Sequence, residues 1–253
     1  MLKEERMMRR PVLLDLYCKA GGAGMGYYRA GYKVIGVDHE PQPRYPFQFF
    51  QRDALQFVEE LCSECADFER DACGLHALFE TSEGEHGHAF AAAADYFDAI
   101  HASPPCQPFS ITRKLHSNKH PDLISATRTC LMRTKLPYII ENVIGAPLLN
   151  PVKLCGVSFG LKVFRHRIFE SNAPLLAPPH QKHDGSTGSH RGYSSQRSGK
   201  NGFICVAGHN FERKAGADAM GIDWMASRAE LSQAIPPAYT EFIGRQLIAT
   251  SRP

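Results

Sequence analysis

The residue best placed for covalent chemistry is Cys106, because of what precedes it. Phe97-Asp98-Ala99-Ile100-His101-Ala102 reads as an apolar strand, and Ser103-Pro104-Pro105 ends it. Prolines cannot continue a central ladder and they fix the backbone that follows, so the thiol is presented at a rigid turn beyond the strand end. There it is a candidate nucleophile; the same sulfur folded into a core would be an inert hydrophobe. A second apolar run, Pro137 to Val143, carries Glu141-Asn142 at its end. A carboxyl in that position is either a surface group or a partly buried acid, held protonated by an apolar setting and able to donate a hydrogen bond.

These groups need a scaffold, and the first fifty residues describe one. Val12 to Tyr17 is a short apolar run leading into Cys18-Lys19-Ala20-Gly21-Gly22-Ala23-Gly24-Met25-Gly26, which reads as strand, glycine turn and helix. Lys33 to Val37 is the next strand, ending on Asp38, 17 positions after Gly21. This is the opening of a doubly wound nucleotide fold: glycines let the backbone approach a ligand, and the acid after the second strand meets ribose hydroxyls. The pattern is not G-x-G-x-x-G and no P-loop Lys follows, so an adenosine-type ligand fits better than a dinucleotide or a triphosphate. A tight turn that only packs helix on strand is the alternative. Asp53, after Phe49-Phe50-Gln51-Arg52, either delivers a carboxylate to the same crevice or caps the helix from Ala54; both are compatible.

With 253 residues, 43% hydrophobic and 22% charged, the chain fits one α/β domain with or without a small appendage. No run of about eighteen apolar residues occurs, and Met1 to Arg10 lacks the apolar stretch of a signal peptide, so we expect a cytoplasmic protein with no membrane partner. Eight scattered Cys read as reduced thiols. The net charge of +3 conceals an asymmetry: Glu59 to Asp95 holds ten acids against Arg70 alone, leaving +12 for the remainder, enough to attract a polyanion.

Taken in order, Asp15-Leu16-Tyr17-x-x-x-Gly21-Gly22, Pro104-Pro105-Cys106-Gln107-Pro108-Phe109-Ser110, Glu141-Asn142-Val143 and Phe164-Arg165-His166-Arg167-Ile168-Phe169 resemble the motifs of the cytosine carbon-5 DNA methyltransferases. More narrowly, the chain resembles the short methylases of actinobacterial phages and their hosts. That likeness includes Ala219-Met220-Gly221-Ile222-Asp223-Trp224-Met225 and Glu230-Leu231-Ser232-Gln233-Ala234-Ile235-Pro236-Pro237-Ala238-Tyr239, and covers most of residues 11 to 249.

The resemblance implies a Rossmann-like, S-adenosylmethionine-dependent fold with a mixed, mostly parallel sheet. It implies a flipped-out cytosine in double-stranded DNA, attacked at carbon 6 by Cys106 while Glu141 serves ring nitrogen 3. Arg165, and with it Arg167, would hold the exocyclic oxygen; a surface Arg pair is the alternative. The cofactor would lie over Tyr17, Gly21, Gly22, Asp38, His39, Asp53, Pro104 and Gln233. Gln107, Ser110, Arg113, Asn142, Arg191 and Arg197 fall to the DNA side, with Asn142 also fixing local backbone. The rival readings are cytosine-5 methylation of RNA and a nucleic-acid-binding relative without catalysis. A companion restriction activity belongs to the family's known settings, and we expect a monomer.

Three features depart from the family pattern. Only about sixty residues separate the Arg165 motif from the closing motif, so the catalytic domain is expected at 1–171 and 227–253 with a reduced recognition region at 172–226. Gln233 stands where many relatives carry Asn. Within the acidic insertion at about 59–95, Cys62-x-x-Cys65 and Cys73-x-x-His76 have the ligand types and pair spacing of a structural zinc site, with His86 and His88 as further donors; ordinary helix packing of Cys62 and Cys65 is the alternative.

Overall fold

In the computed structural model, residues 9–62, 96–105, 123–180, 182–183, 202–208 and 210–251 are described. The first strand, β1 (Val12–Leu16), is followed by α1 (Gly22–Ala30), β2 (Lys33–Asp38), β3 (Gln48–Gln51) and α2 (Ala54–Cys62). Then come β4 (Ala99–Ala102), α3 (Ile124–Arg133), β5 (Tyr138–Asn142), β6 (Val152–Leu154) and β7 (Arg167–Ser171). Three helices close the described chain: α4 (Arg213–Met220), α5 (Arg228–Gln233) and α6 (Pro237–Ser251).

Seven strands form one sheet in the order β3-β2-β1-β4-β5-β7-β6. The first five pair in parallel, whereas β7 runs antiparallel to both β5 and β6. The start of β7 therefore lies at the same sheet edge as the ends of β1, β2, β4 and β5. Parallel strands covered on both faces are apolar throughout, and β1 and β5 are buried along their whole length.

Successive side chains of β1 serve opposite layers, as the two-residue period of a strand requires. Val12, Leu14 and Leu16 join Phe57, Leu61 and Leu131 beneath α2 and α3. Leu13 faces Tyr27, Tyr239 and Ile243 of α1 and α6 on the other side. A third cluster (Ala20, Val163, Val206, Phe211, Met220, Met225 and Leu231) packs much of the described part of 202–231 against the glycine turn. Trp224 Nε1 donates to the Ala20 carbonyl at 2.8 Å, tying that cluster to the same turn.

The α1–α6 contact is close because glycines line it. A Cβ on Gly26 would overlap Thr240 Oγ1 and the Pro237 carbonyl, and would come within 2.6 Å of Glu241 N. One on Gly22 would lie 2.6 Å from the Ile235 carbonyl. Backbone atoms cannot retreat as a flexible side chain can. Gly26→Ala is therefore expected to lower unfolding stability by about 2–3 kcal/mol, measured by urea denaturation, although Ala is the better helix former at an unconstrained position.

Candidate functional site

The polar groups singled out in the sequence gather at the edge where the parallel strands end. After β1 the chain turns sharply. Tyr17 and Lys19 take left-handed backbone angles (φ 56° and 46°), as does Gly21 (φ 82°). Left-handed φ at two non-glycine residues is strained and persists only where neighbours enforce it. Asp38 is one such neighbour: its Oδ2 accepts from Lys19 N at 3.1 Å and its Oδ1 from Glu40 N at 3.0 Å. The Asp38 side chain is fully buried, so its carboxylate shapes the turn from within, while Glu40, bound to Lys19 Nζ at 2.7 Å, reaches solvent at the same strand end. His39 is exposed beside Asp38. Asp53 is exposed and caps α2, accepting from Gln56 N at 2.9 Å. Tyr17 contacts Thr127 Oγ1 through its hydroxyl at 3.2 Å, and burial raises its pKa to about 12.

Glu141, at the end of β5, is buried. Loss of water raises its pKa, offset by Arg167, Arg165 and a hydrogen bond from the Ser103 side chain. Arg167 Nε lies 2.9 Å from Oε1 without the alignment of a hydrogen bond, and among the described residues that oxygen accepts none. The site thus holds a buried acceptor with charge beside it and an unfilled hydrogen-bond position. Asn142 lies alongside: its Nδ2 donates to the Pro104 carbonyl at 3.0 Å, and its Oδ1 accepts from Val143 N at 2.9 Å. Both halves of the amide fix backbone, and one of them fixes the turn that leads into Cys106.

Arg165 and Arg167 part company. Arg165 is half-buried with φ 34°, and its guanidinium donates to the carbonyls of Ala234 (2.8 Å), Val206 (2.6 Å) and Ser232 (2.7 Å). Burial and the neighbouring Arg167 lower its pKa to about 9. The sequence reading placed Arg165 first at the substrate; the structure places it as a clamp between the lead-in to β7 and the closing segment, and puts Arg167 next to Glu141. Gln233 is exposed beside that clamp, and Pro104 is buried. Cys106, Gln107, Ser110, Arg113, Arg191, Arg197, Cys65, Cys73 and His76 lie outside the described residues; Cys62 lies near Cys130 at the α2–α3 contact.

Two of the buried polar residues make contacts that the strand pattern alone does not announce. His101, in β4, has its pKa pushed down to about 3 by burial and is neutral. Its Nδ1 meets Tyr27 OH at 3.0 Å and its Nε2 meets Ser103 Oγ at 2.9 Å. With Glu141 ionised the contacts are satisfied when Tyr27 donates to Nδ1, Nε2–H donates to Ser103 and Ser103 donates to Glu141; with Glu141 protonated the same chain runs in the opposite direction. The chain runs from the core to the edge where the parallel strands end. Asp15, in β1, accepts from Tyr45 OH at 3.0 Å and leaves Oδ1 without a partner.

No family model and no curated protein matches this sequence. Solved structures do resemble it. An E. coli prophage protein described as a DNA modification methyltransferase superposes with a TM-score of 0.57 at 16% identity, covering 96% of this chain and 100% of its own. The Entamoeba histolytica methyltransferase EhMeth gives 0.54 at 11% (97% and 100%), and S. pombe Dnmt2 methyltransferase gives 0.50 at 10% (96% and 100%). The chain shares its α/β Rossmann-like fold with these structures. Identities this low establish the α/β Rossmann-like architecture and leave activity to be argued from the site. Among the described residues no helix is long and apolar enough to cross a membrane.

The Asp15 carboxyl supplies a pH test. Burial, with Asp38 adding repulsion, raises its pKa to about 8, above the ~3.9 of an exposed Asp. The folded state therefore holds an extra proton between those values. This contribution to stability is complete below about pH 4 and is lost as pH rises through about 8, with a slope of up to about 1.4 kcal/mol per pH unit. Asp15→Asn, which keeps an acceptor for Tyr45, should flatten the decline measured by urea denaturation between about pH 6 and 8.

Proposed function

We propose that the protein is an S-adenosylmethionine-dependent DNA methyltransferase acting on carbon 5 of cytosine. The observation that carries this reading is the buried Glu141 carboxyl beside Arg167, with Oε1 unfilled, next to the Asn142–Pro104 bond that anchors the turn into Cys106.

The residues fit the cofactor by the chemistry of their donors. Glu40, His39 and Asp53 stand exposed at the strand ends adjoining the glycine turn, where they would meet hydroxyl and amino groups. When bound, the cofactor supplies a methyl group on a sulfonium, a donor needing no metal. Asp38, from its buried position, holds the turn in shape for it.

Carbon 5 of cytosine is a weak nucleophile. The Cys106 thiolate bonds to carbon 6, and the electron pair displaced toward ring nitrogen 3 is met there by a proton or hydrogen bond from Glu141. Its raised pKa suits this task, and Oε1 is free to accept from the base's amino group. Arg167 is placed to neutralise charge developing beside Glu141, and its guanidinium can also serve the exocyclic oxygen. The bound cofactor would supply the methyl group to carbon 5 and be left as the neutral thioether, S-adenosylhomocysteine. Loss of its proton to a base returns the electron pair, the carbon–sulfur bond breaks, and thiolate and 5-methylcytosine are released. A base stacked in a duplex cannot be reached in this way, so it must be flipped out, and the basic remainder of the chain offsets that cost through phosphate contacts.

Incubation with isotopically labelled cofactor and either DNA or RNA, followed by nucleoside mass spectrometry, tests the reading. Labelled 5-methylcytosine should appear in DNA and vanish with Cys106→Ala. Label confined to RNA would favour the RNA reading, and no labelled nucleoside in either polymer would overturn both. Arg167→Lys should cut turnover at unchanged stability, whereas Arg165→Met should cost several kcal/mol of stability by stranding three carbonyls.

A further inference from the structure

A second cluster of reactive side chains lies outside the Glu141 site. Cys155 is buried directly after β6, His166 sits between the two arginines that lead into β7, and His180 and His183 follow within a few residues of each other. One ligand atom from each of the four lies within 4.8 Å of all the others. Cys155 Sγ is 3.2 Å from His183 Nε2, and His166 Nε2 is 2.9 Å from His180 Nε2 and 3.1 Å from His183 Nε2. Hydrogen bonding alone does not account for this convergence. A ring nitrogen carries one lone pair or one proton, so His166 Nε2 cannot serve two other Nε2 atoms as donor and acceptor together. A cation at the centre satisfies all three nitrogens and the sulfur at once. Tetrahedral Zn–N and Zn–S bonds of ~2.0–2.1 and ~2.3 Å place neighbouring ligand atoms roughly 3.3–3.6 Å apart, close to the spacing seen.

We propose that Cys155, His166, His180 and His183 form a structural zinc site. One thiolate and three imidazoles suit zinc, and four protein ligands leave no position open for a substrate, so the metal serves the fold. Zinc enters as the dication, displaces the thiol proton to solvent and is bound by three neutral imidazoles. The His183 ring is already held in place, stacked on Phe164 at 4.1 Å with an interplanar angle of 5°. The site bolts the 180–183 segment to the ends of β6 and β7. The inference does not depend on which polymer is methylated. It also differs from the Cys62, Cys65, Cys73 and His76 set suggested by sequence spacing.

The test uses the full chain purified without a polyhistidine tag, with zinc measured by plasma mass spectrometry after gel filtration. Wild type should carry at least about one zinc per chain. His180→Ala, at an exposed ligand, should lower the content by about one while leaving the circular dichroism spectrum native, and Cys62→Ser should leave this zinc in place. In cobalt-substituted protein, Cys155→Ser should remove the sulfur-to-cobalt absorption band. Wild-type zinc below ~0.2 per chain would overturn the proposal, as would a content unchanged by both His180→Ala and Cys155→Ser. Should Cys155→Ser fail to fold, His180→Ala decides.

Discussion

A carboxyl taken out of water and, among the described residues, left with one oxygen unbonded is the constraint around which this end of the sheet is arranged. Desolvation favours the protonated form of Glu141, and Arg167 and Arg165 favour the ionised one. Burial outweighs the two arginines, so this carboxyl takes up a proton more readily than an exposed glutamate, the direction that the proposed acid role requires. Such a balance depends on geometry. Ser103 sets one side of the carboxyl, and Ser103 is itself positioned by the neutral His101 and, behind that, by Tyr27 in the core. The chemistry is thus wired into the packing between α1 and the sheet.

The reversal of β7 makes this possible. An antiparallel β7 begins at the edge where the parallel strands finish, so Arg167 arrives beside Glu141 from the neighbouring strand. Its approach is fixed by Arg165, whose three carbonyl partners belong to the closing segment and to Val206. The closing segment is held in turn by the glycines of α1, which admit Ile235 and Pro237 at backbone contact. Glycine turn, clamp and carboxyl form one connected assembly, and a change in α1 packing should be felt at Glu141.

Much of this frame was legible in the sequence, because apolar runs that stop on polar residues mark strand ends. Asp38, Ser103 and Asn142 each stand at or just past such an end, and Asp53 was read both as crevice acid and as helix cap, the latter role being visible in its bond to Gln56 N. Burial of Glu141 was one of two readings open for it. The partners of buried groups were hidden because they come from far along the chain. Nothing local in Phe164 to Phe169 distinguishes an arginine that binds backbone 67 and 69 residues away from one that faces a carboxylate. His101 and Asp15 are polar positions inside apolar strands, and their contacts depend on Tyr27 and Tyr45 reaching them across the fold. The Cys155 and histidine cluster escaped notice for the same reason: its ligands are spread from residue 155 to 183, without the paired spacing of a zinc finger.

The most direct measurement is the rate at which DNA containing 5-fluorocytosine becomes bound to the protein in a denaturant-stable complex when cofactor is present. The account predicts rapid capture by the wild type and none by Cys106→Ala. It also predicts capture slowed about 100-fold or more by Glu141→Gln, with cofactor affinity retained. Capture by Glu141→Gln as fast as by the wild type would contradict the role given to that buried carboxyl, and a complex that persists in Cys106→Ala would contradict the covalent route itself.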